Sequence, residues 1–344
     1  MRGLKLYGKE DLRLEEVPEP QCPEGGLLLR VEACAICGSD MRNYHAGGSG
    51  HGDMHLPIIL GHELTGSIVE SKSPLFSEGT MVGVQPAIAC NRCTQCLKGY
   101  RNLCANKVSI SYAVDGGFAD YIAIPPEALL SGCVVELPEG ASPIECSIAE
   151  PLGCAINGQE ISNVSLGDSV LVIGGGPLGV MHALLAKIRG ASKVIISEIS
   201  EERADLIKDF NEIDRVATDN LERIVMEETS GVGADVIIVA APSKEAQQSA
   251  IKLAAKRGRI NFFGGLPKGN SQINIDGNEI HYKELFVHGT SDSTPWHYRK
   301  AIELIAGKKI PAAKIITHVM LLDDYKKALR TIDEGKALKV VIKP

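Results

Sequence analysis

Apolar positions are spaced in two different ways along the chain. Up to about residue 150 they come as short runs: Leu27-Leu28-Leu29-Arg30-Val31-Glu32-Ala33, then Leu64 to Val69, Met81 to Val84 and Phe118 to Ile124. Gly and Pro interrupt them at short intervals. Such runs predict the strands of a small barrel or sandwich. After about residue 155 the runs become continuous and alternate with longer amphipathic stretches. Val170-Leu171-Val172-Ile173, Val194-Ile195-Ile196, Val236-Ile237-Ile238-Val239, Ile260-Asn261-Phe262-Phe263 and Leu285-Phe286-Val287 read as strands buried on both faces. Between them, Pro177 to Arg189, Glu201 to Phe210 and Ser243 to about Arg257 read as helices, the first closed by Gly190 and the last by Gly258. Strand and helix in alternation predict a parallel sheet with right-handed crossovers.

The tail changes again. Tyr298 to Ile305 and Leu322 to Ile332 read as helices, and Leu338-Lys339-Val340-Val341-Ile342 as a last strand. The α/β part is therefore expected as an insertion between two pieces of the first domain. The expected boundaries are 1–154 with 291–344 for one domain and 155–290 for the other.

A length of 344 residues fits two domains rather than one core. The net charge of −7 argues against a nucleic-acid surface, which normally carries a basic stripe. No apolar run approaches the ~20 residues that span a bilayer, and no basic start followed by an apolar stretch marks a secretory signal. The expectation is a cytoplasmic protein that engages neither nucleic acid nor membrane. In that setting the ten cysteines point to metal binding or reduced thiols rather than disulfides.

Four of them are informative. Cys90, Cys93, Cys96 and Cys104 follow one another at spacings that suit one tetrahedral metal. Zinc prefers thiolate sulfur, and an all-cysteine shell leaves no open position, so this predicts a structural zinc site. A second set of ligand-type residues lies elsewhere: Cys37 in Cys37-Gly38-Ser39-Asp40, His62 and Glu63 in Gly61-His62-Glu63-Leu64-Thr65-Gly66, and Glu150 before Pro151. A mixed Cys, His and carboxylate shell with an open fourth position is what catalytic zinc uses. The third feature is Gly174-Gly175-Gly176-Pro177-Leu178-Gly179, which follows a buried strand and opens a helix. In that context Gly174 makes the tight turn, Gly176 admits a pyrophosphate, and Gly179 lets helix and strand pack closely. Pro177 and Leu178 start the helix, whose free N–H groups and dipole favour an anion. Glu198, at the end of the next strand, would accept hydrogen bonds from the adenosine ribose and repel a 2′-phosphate, which favours NAD over NADP. Arg203 either stacks on adenine or stays solvated.

Taken in order, the C-G-S-D segment, G-H-E-x-x-G, the four-cysteine lobe, the Glu-Pro segment and the Gly-rich fingerprint resemble the zinc-containing medium-chain dehydrogenase/reductase superfamily over essentially the whole chain. The resemblance implies an α/β protein with a GroES-like β-barrel catalytic domain, a Rossmann doubly wound parallel sheet and an active-site cleft between them. Glu150 makes the chain look most like the polyol branch of sorbitol, galactitol-phosphate and threonine dehydrogenases, because the liver alcohol dehydrogenase type has Cys at the matching place. It then implies Cys37, His62 and Glu150 as catalytic zinc ligands, with Glu63 either a fourth ligand or the holder of the zinc-bound water. Ser39 would begin the proton path. The next relay member is usually His but here is Arg42, so the path would run through cofactor ribose, water or His45. Arg42 itself is either an anion contact or a plain exposed residue. Cys154 reads as a packed thiol.

The expected activity is NAD-dependent, zinc-dependent oxidation of a secondary hydroxyl of a polyol or sugar alcohol, phosphorylated or not. Two zinc ions per chain, a small-molecule substrate and a homodimer or homotetramer complete the expectation, with the strand near Phe286 continuing a sheet across a dimer axis. The alternatives are a threonine-type amino-alcohol dehydrogenase, a simple alcohol dehydrogenase and, further off, a non-catalytic dinucleotide-binding relative. The glycine-rich segment Gly47 to His55 reads as a substrate-contacting loop.

Overall fold

The computed structural model describes residues 1–48 and 54–344, so the middle of the Gly47 to His55 segment lies outside the described residues. The chain forms two compact units: Met1–Cys154 with Asp292–Glu334 and Lys339–Pro344, and Ala155–Ser291 with Gly335–Leu338. The first boundary falls inside the helix Ala149–Ile161.

In the first unit a seven-stranded sheet is organised around Leu27–Ala35. That strand pairs antiparallel with Glu63–Ser71, Tyr121–Ile124 and the last strand of the chain, Lys339–Lys343. Met81–Val84 and Val134–Glu136 extend one side, and Ile316–Leu321 runs parallel to Lys339–Lys343 on the other. Leu27, Leu29, Ala33, Cys34 and Ala35 are fully buried, which explains the near-continuous apolar run: this strand is covered on both faces. A smaller sheet of Asp11–Glu16, Arg2–Gly8 and Ile58–Ile59 completes the β structure with the short pair Ala87–Ile88 and Val108–Ser109.

The second unit carries a six-stranded sheet, parallel throughout. Its order is Arg215–Ala217, Lys193–Ser197, Ser169–Ile173, Ala234–Val239, Ala254–Phe262, Phe286–Gly289. Numbered along the chain this is 3-2-1-4-5-6, the doubly wound arrangement with its switch point between the first and fourth strands. Leu171, Ile195, Ile237 and Ile260 form the core beneath the helices.

One expected element differs. The helix expected to run to Arg257 ends at Leu253, and Ala254 already pairs with Ala234. The strand then bulges, since Val236 pairs with Arg259, and Arg257 takes a left-handed φ of +61°. Ala-Ala-Lys-Arg has good helix propensity, but ladder pairing with the buried fourth strand outweighs a preference of a few tenths of a kcal/mol per residue, about the spread among ordinary helix formers.

Candidate active site

Three strands place the mixed-ligand residues. Ala35 pairs with Glu63 on one side and with Val341 on the other. The ends of these strands therefore bring Cys37, Glu63 and Lys339 to one place. Cys37 stands at the mouth of the helix Gly38–Ala46, where its backbone N–H donates to Asp40 Oδ2 at 2.9 Å. His62 and Glu63 follow Gly61, whose φ is +95° and whose missing Cβ would lie 2.8 Å from both Cys34 Sγ and the Phe118 ring. Only glycine fits that turn, which explains the first residue of G-H-E-x-x-G.

Ligand atoms of Cys37, His62 and Glu63 all lie within 4.8 Å of one another. Glu150 is outside that grouping. It sits in the first turn of Ala149–Ile161, buried, and accepts a hydrogen bond from Cys154 Sγ at 3.3 Å. Burial pushes the Glu150 carboxyl up to about 7, with the Glu63 and Asp292 charges adding to the rise and His62 opposing it. The Cys154 thiol is raised well above its ordinary value, by burial first and then by Glu150. Burial alone would lower His62, but Asp40 and Cys37 beside it hold it well above its usual value. Its Nδ1 stands 3.3 Å from Asp40 Oδ1, a charge contact without good hydrogen-bond alignment, while Nε2 is 3.5 Å from Ser39 Oγ.

This set fits a zinc ion. A thiol, an imidazole and the Glu63 carboxylate lie together, and the buried Glu150 carboxyl, pushed up to about 7, feels the His62 and Glu63 charges; a bound cation would offset that rise. The Asp40 contact to the far ring nitrogen of His62 is the carboxylate–histidine arrangement that orients metal-bound imidazole.

The sequence pattern does not single out two residues here. Asp40 stands in it only as the last residue of C-G-S-D. Lys339 is 3% exposed, and its Nζ lies 2.7 Å from Glu63 Oε1 and 2.6 Å from Oε2. Burial works against the Lys339 charge, and Glu63 raises its pKa regardless. The available signal was a lysine inside a buried apolar strand, where unpaired charges are almost never found. Arg42 is exposed. His45 does not serve Ser39: it lies six residues further along the helix, about 120° round from it, and its ring nitrogens face Glu10 at 3.4 Å and Asp333 at 3.0 Å.

The four lobe cysteines also converge, with sulfurs within 4.8 Å of one another. Backbone N–H groups of Arg92 and Cys93 point at Cys90 and bring its thiol down to about 6, while burial pushes Cys96 up to about 12. Hydrogen bonds to sulfur and a closed four-thiol shell suit structural zinc.

In the second unit, Gly174 lies at the switch point with φ +111°, and a Cβ there would stand 2.9 Å from Ala241 N. A Cβ on Gly179 would come within 1.9 Å of Gly174 O, so no side chain is possible at this crossing. Gly176 caps the helix Pro177–Ile188, with Pro177 at its start and Leu178 next, and space is open where its Cβ would be. Glu198 is buried, accepting from Gly175 N at 3.0 Å and Ser200 N at 2.9 Å. Arg203 Nη1 lies 3.9 Å from Glu198 Oε2.

Comparison with known proteins identifies the family. Residues 23–139 match the family model of the alcohol dehydrogenase GroES-like domain, and residues 177–307 that of the zinc-binding dehydrogenases. Sorbitol dehydrogenase of Halalkalibacterium halodurans is 30% identical, covering 98% of this chain and 97% of its own. L-threonine 3-dehydrogenase of Escherichia fergusonii is 30% identical over 98% of both chains. A zinc-binding dehydrogenase of Sinorhizobium meliloti, solved bound to NADP, superposes with a TM-score of 0.91 at 28% identity, covering 100% of this chain and 99% of that one. No helix among the described residues is long and apolar enough to cross a membrane. The chain belongs to the zinc-containing medium-chain dehydrogenase/reductases, in their polyol-dehydrogenase-like branch, oxidoreductases of small alcohols that use zinc and a nicotinamide cofactor.

Proposed function

We propose that the protein oxidises a secondary hydroxyl of a polyol with NAD, and reduces the corresponding ketone in reverse. The observation that carries this is the buried grouping of Cys37, His62 and Glu63 with Glu150 at a nearby helix start. Cys37, His62 and Glu150 would hold the catalytic zinc, with Glu63 as alternate ligand or holder of its water. Zinc there would supply the Lewis acidity that makes the hydroxyl acidic, and NAD the hydride acceptor. Asp40 keeps the His62 ring oriented. Ser39, 3.5 Å from His62, is the first acceptor of the substrate proton. Because Arg42 cannot shuttle a proton at neutral pH, the path from Ser39 continues through water or the cofactor ribose. Glu198, already held by two backbone N–H groups, would meet a 2′-phosphate with a buried negative charge, which supports NAD over NADP. The lobe would hold the second zinc of each chain. A homodimer or homotetramer is supported by the edge strand Phe286–Gly289, whose Phe286 is 53% exposed.

The test is a panel of polyols, polyol phosphates and amino alcohols with NAD and with NADP, following reduced-cofactor absorbance. NAD-linked oxidation of polyols is expected. Exclusive use of L-threonine, or of primary alcohols, would replace this reading.

A further inference from the structure

Lys107 and Asp292 form an ion pair that none of this chemistry uses. Both belong to the first unit. Lys107 lies three residues past Cys104, the last thiol of the lobe. Asp292 is fixed in place through its neighbour Ser293. Gln85 Nε2 donates to the Ser293 carbonyl at 3.0 Å in a buried bond. Ser293 also packs on Gly153 so closely that a Cβ there would stand 3.2 Å from Ser293 Oγ. Gly153 is one helical turn from Glu150. Asp292 therefore adjoins a residue that packs on the helix whose first turn carries Glu150.

Stability does not account for the pair. The side chains are 28% and 33% exposed, so water screens their attraction. Asp292 also takes a left-handed φ of +56°, a conformation aspartate adopts more readily than most residues other than glycine. A partly exposed pair of opposite charges, one rich in donors and one in acceptors, therefore lies close to the helix whose first turn carries Glu150.

We propose that Lys107 and Asp292 together are a hydroxyl clamp for a neutral polyol, the ammonium donating to and the carboxylate accepting from hydroxyls beyond the one that is oxidised. This rests on the polyol reading above. Neutrality follows from the charges. Lys107 is already balanced by Asp292, so a phosphate or carboxylate on the substrate would face Asp292 with Glu150 nearby. A substrate ammonium would have to displace Lys107.

The test compares wild type, Asp292→Asn and Lys107→Gln, all zinc-loaded, on xylitol, 2-butanol, sorbitol 6-phosphate and L-threonine with NAD. Loss of a hydrogen bond to a charged partner should raise the KM for xylitol about 10- to 100-fold in either variant. Activity on 2-butanol, which has no second hydroxyl, should stay within about twofold in Lys107→Gln; in Asp292→Asn, whose charge also reaches Glu150, it should fall far less than activity on xylitol. Xylitol binding to the enzyme–NADH complex, titrated by calorimetry, should weaken in the same ratio, with the thermal midpoint unmoved. Equal losses on xylitol and 2-butanol, or an unshifted xylitol KM, overturn the clamp while leaving the dehydrogenase reading intact. So does a wild-type preference for the phosphate that disappears in Lys107→Gln, or for threonine that disappears in Asp292→Asn. Wild type inactive on every alcohol overturns the dehydrogenase reading itself, and the clamp with it.

Discussion

Lys339, on the last strand of the chain, places its ammonium 2.7 Å from Glu63 Oε1 in the interior of the first unit, where Glu63 is fully buried. The two residues are separated by almost the whole sequence, and they meet because Leu27–Ala35 pairs with both of their strands. A buried carboxylate next to a thiol and an imidazole has no cation of its own unless one is supplied. The lysine supplies a fixed counter-charge, which leaves Glu63 available to a metal without making the whole cluster anionic.

Removing one partner should expose that cost. Lys339→Met leaves Glu63 buried and unpaired, with an expected loss of about 3–5 kcal/mol in urea unfolding. Adding Glu63→Gln to Lys339→Met should recover most of it. A double variant no more stable than Lys339→Met would mean that the lysine acts through packing rather than charge.

Much of this was legible in the chain, and for identifiable reasons. The strand before Gly174 and the helix after it are local, and so are the lobe spacings: each motif carries its own geometry within a few residues. The early end of the helix at Leu253 was not legible, because it depends on pairing with Ala234–Val239 rather than on the propensity of Ala254 to Arg257. Nor were Lys339, Lys107 and Asp292, whose partners are 276, 185 and 185 residues away in sequence. A relay role for His45 was plausible by sequence distance, yet helix geometry turns it away from Ser39 towards Glu10 and Asp333.

The two thiol-bearing groups should separate in metal analysis. Wild type is expected to hold two zinc ions per chain. Cys37→Ser should lose one, with activity, and keep its thermal midpoint nearly unchanged. Cys93→Ser should lose the other and melt at lower temperature, since a closed thiolate site contributes directly to folding. Unchanged fold and assembly in Cys93→Ser after loss of its zinc would remove the structural role of the lobe.

Cofactor choice should respond to Glu198. Its carboxylate is tied to Gly175 N and Ser200 N, so it is held rigidly where the ribose of a dinucleotide in this fold is expected. In Glu198→Ala, kcat/KM with NAD should fall about 10- to 100-fold, the value of one or two hydrogen bonds to a charged group, while use of NADP rises. An unaltered NAD to NADP ratio would detach Glu198 from ribose recognition.

His182 should make the second unit acid-sensitive. It is fully buried, with Gln159 Nε2 3.3 Å from its Nδ1 and the Phe263 ring edge-on at 4.5 Å. Burial brings its pKa down to about 3. Unfolded, the same histidine titrates near ~6.5, so below that pH the unfolded chain binds a proton that the folded chain does not. Its contribution is therefore fully present above the unfolded value and is lost as the pH falls from there towards 3. Each unit in that window is worth about 1.4 kcal/mol, or roughly 2 kcal/mol between pH 7 and pH 5. His182→Gln, whatever its stability at pH 7, should lose about that much less on going to pH 5. Urea unfolding of both proteins at pH 7, 6 and 5 measures it, and parallel pH dependences would show that His182 takes up its proton without unfolding.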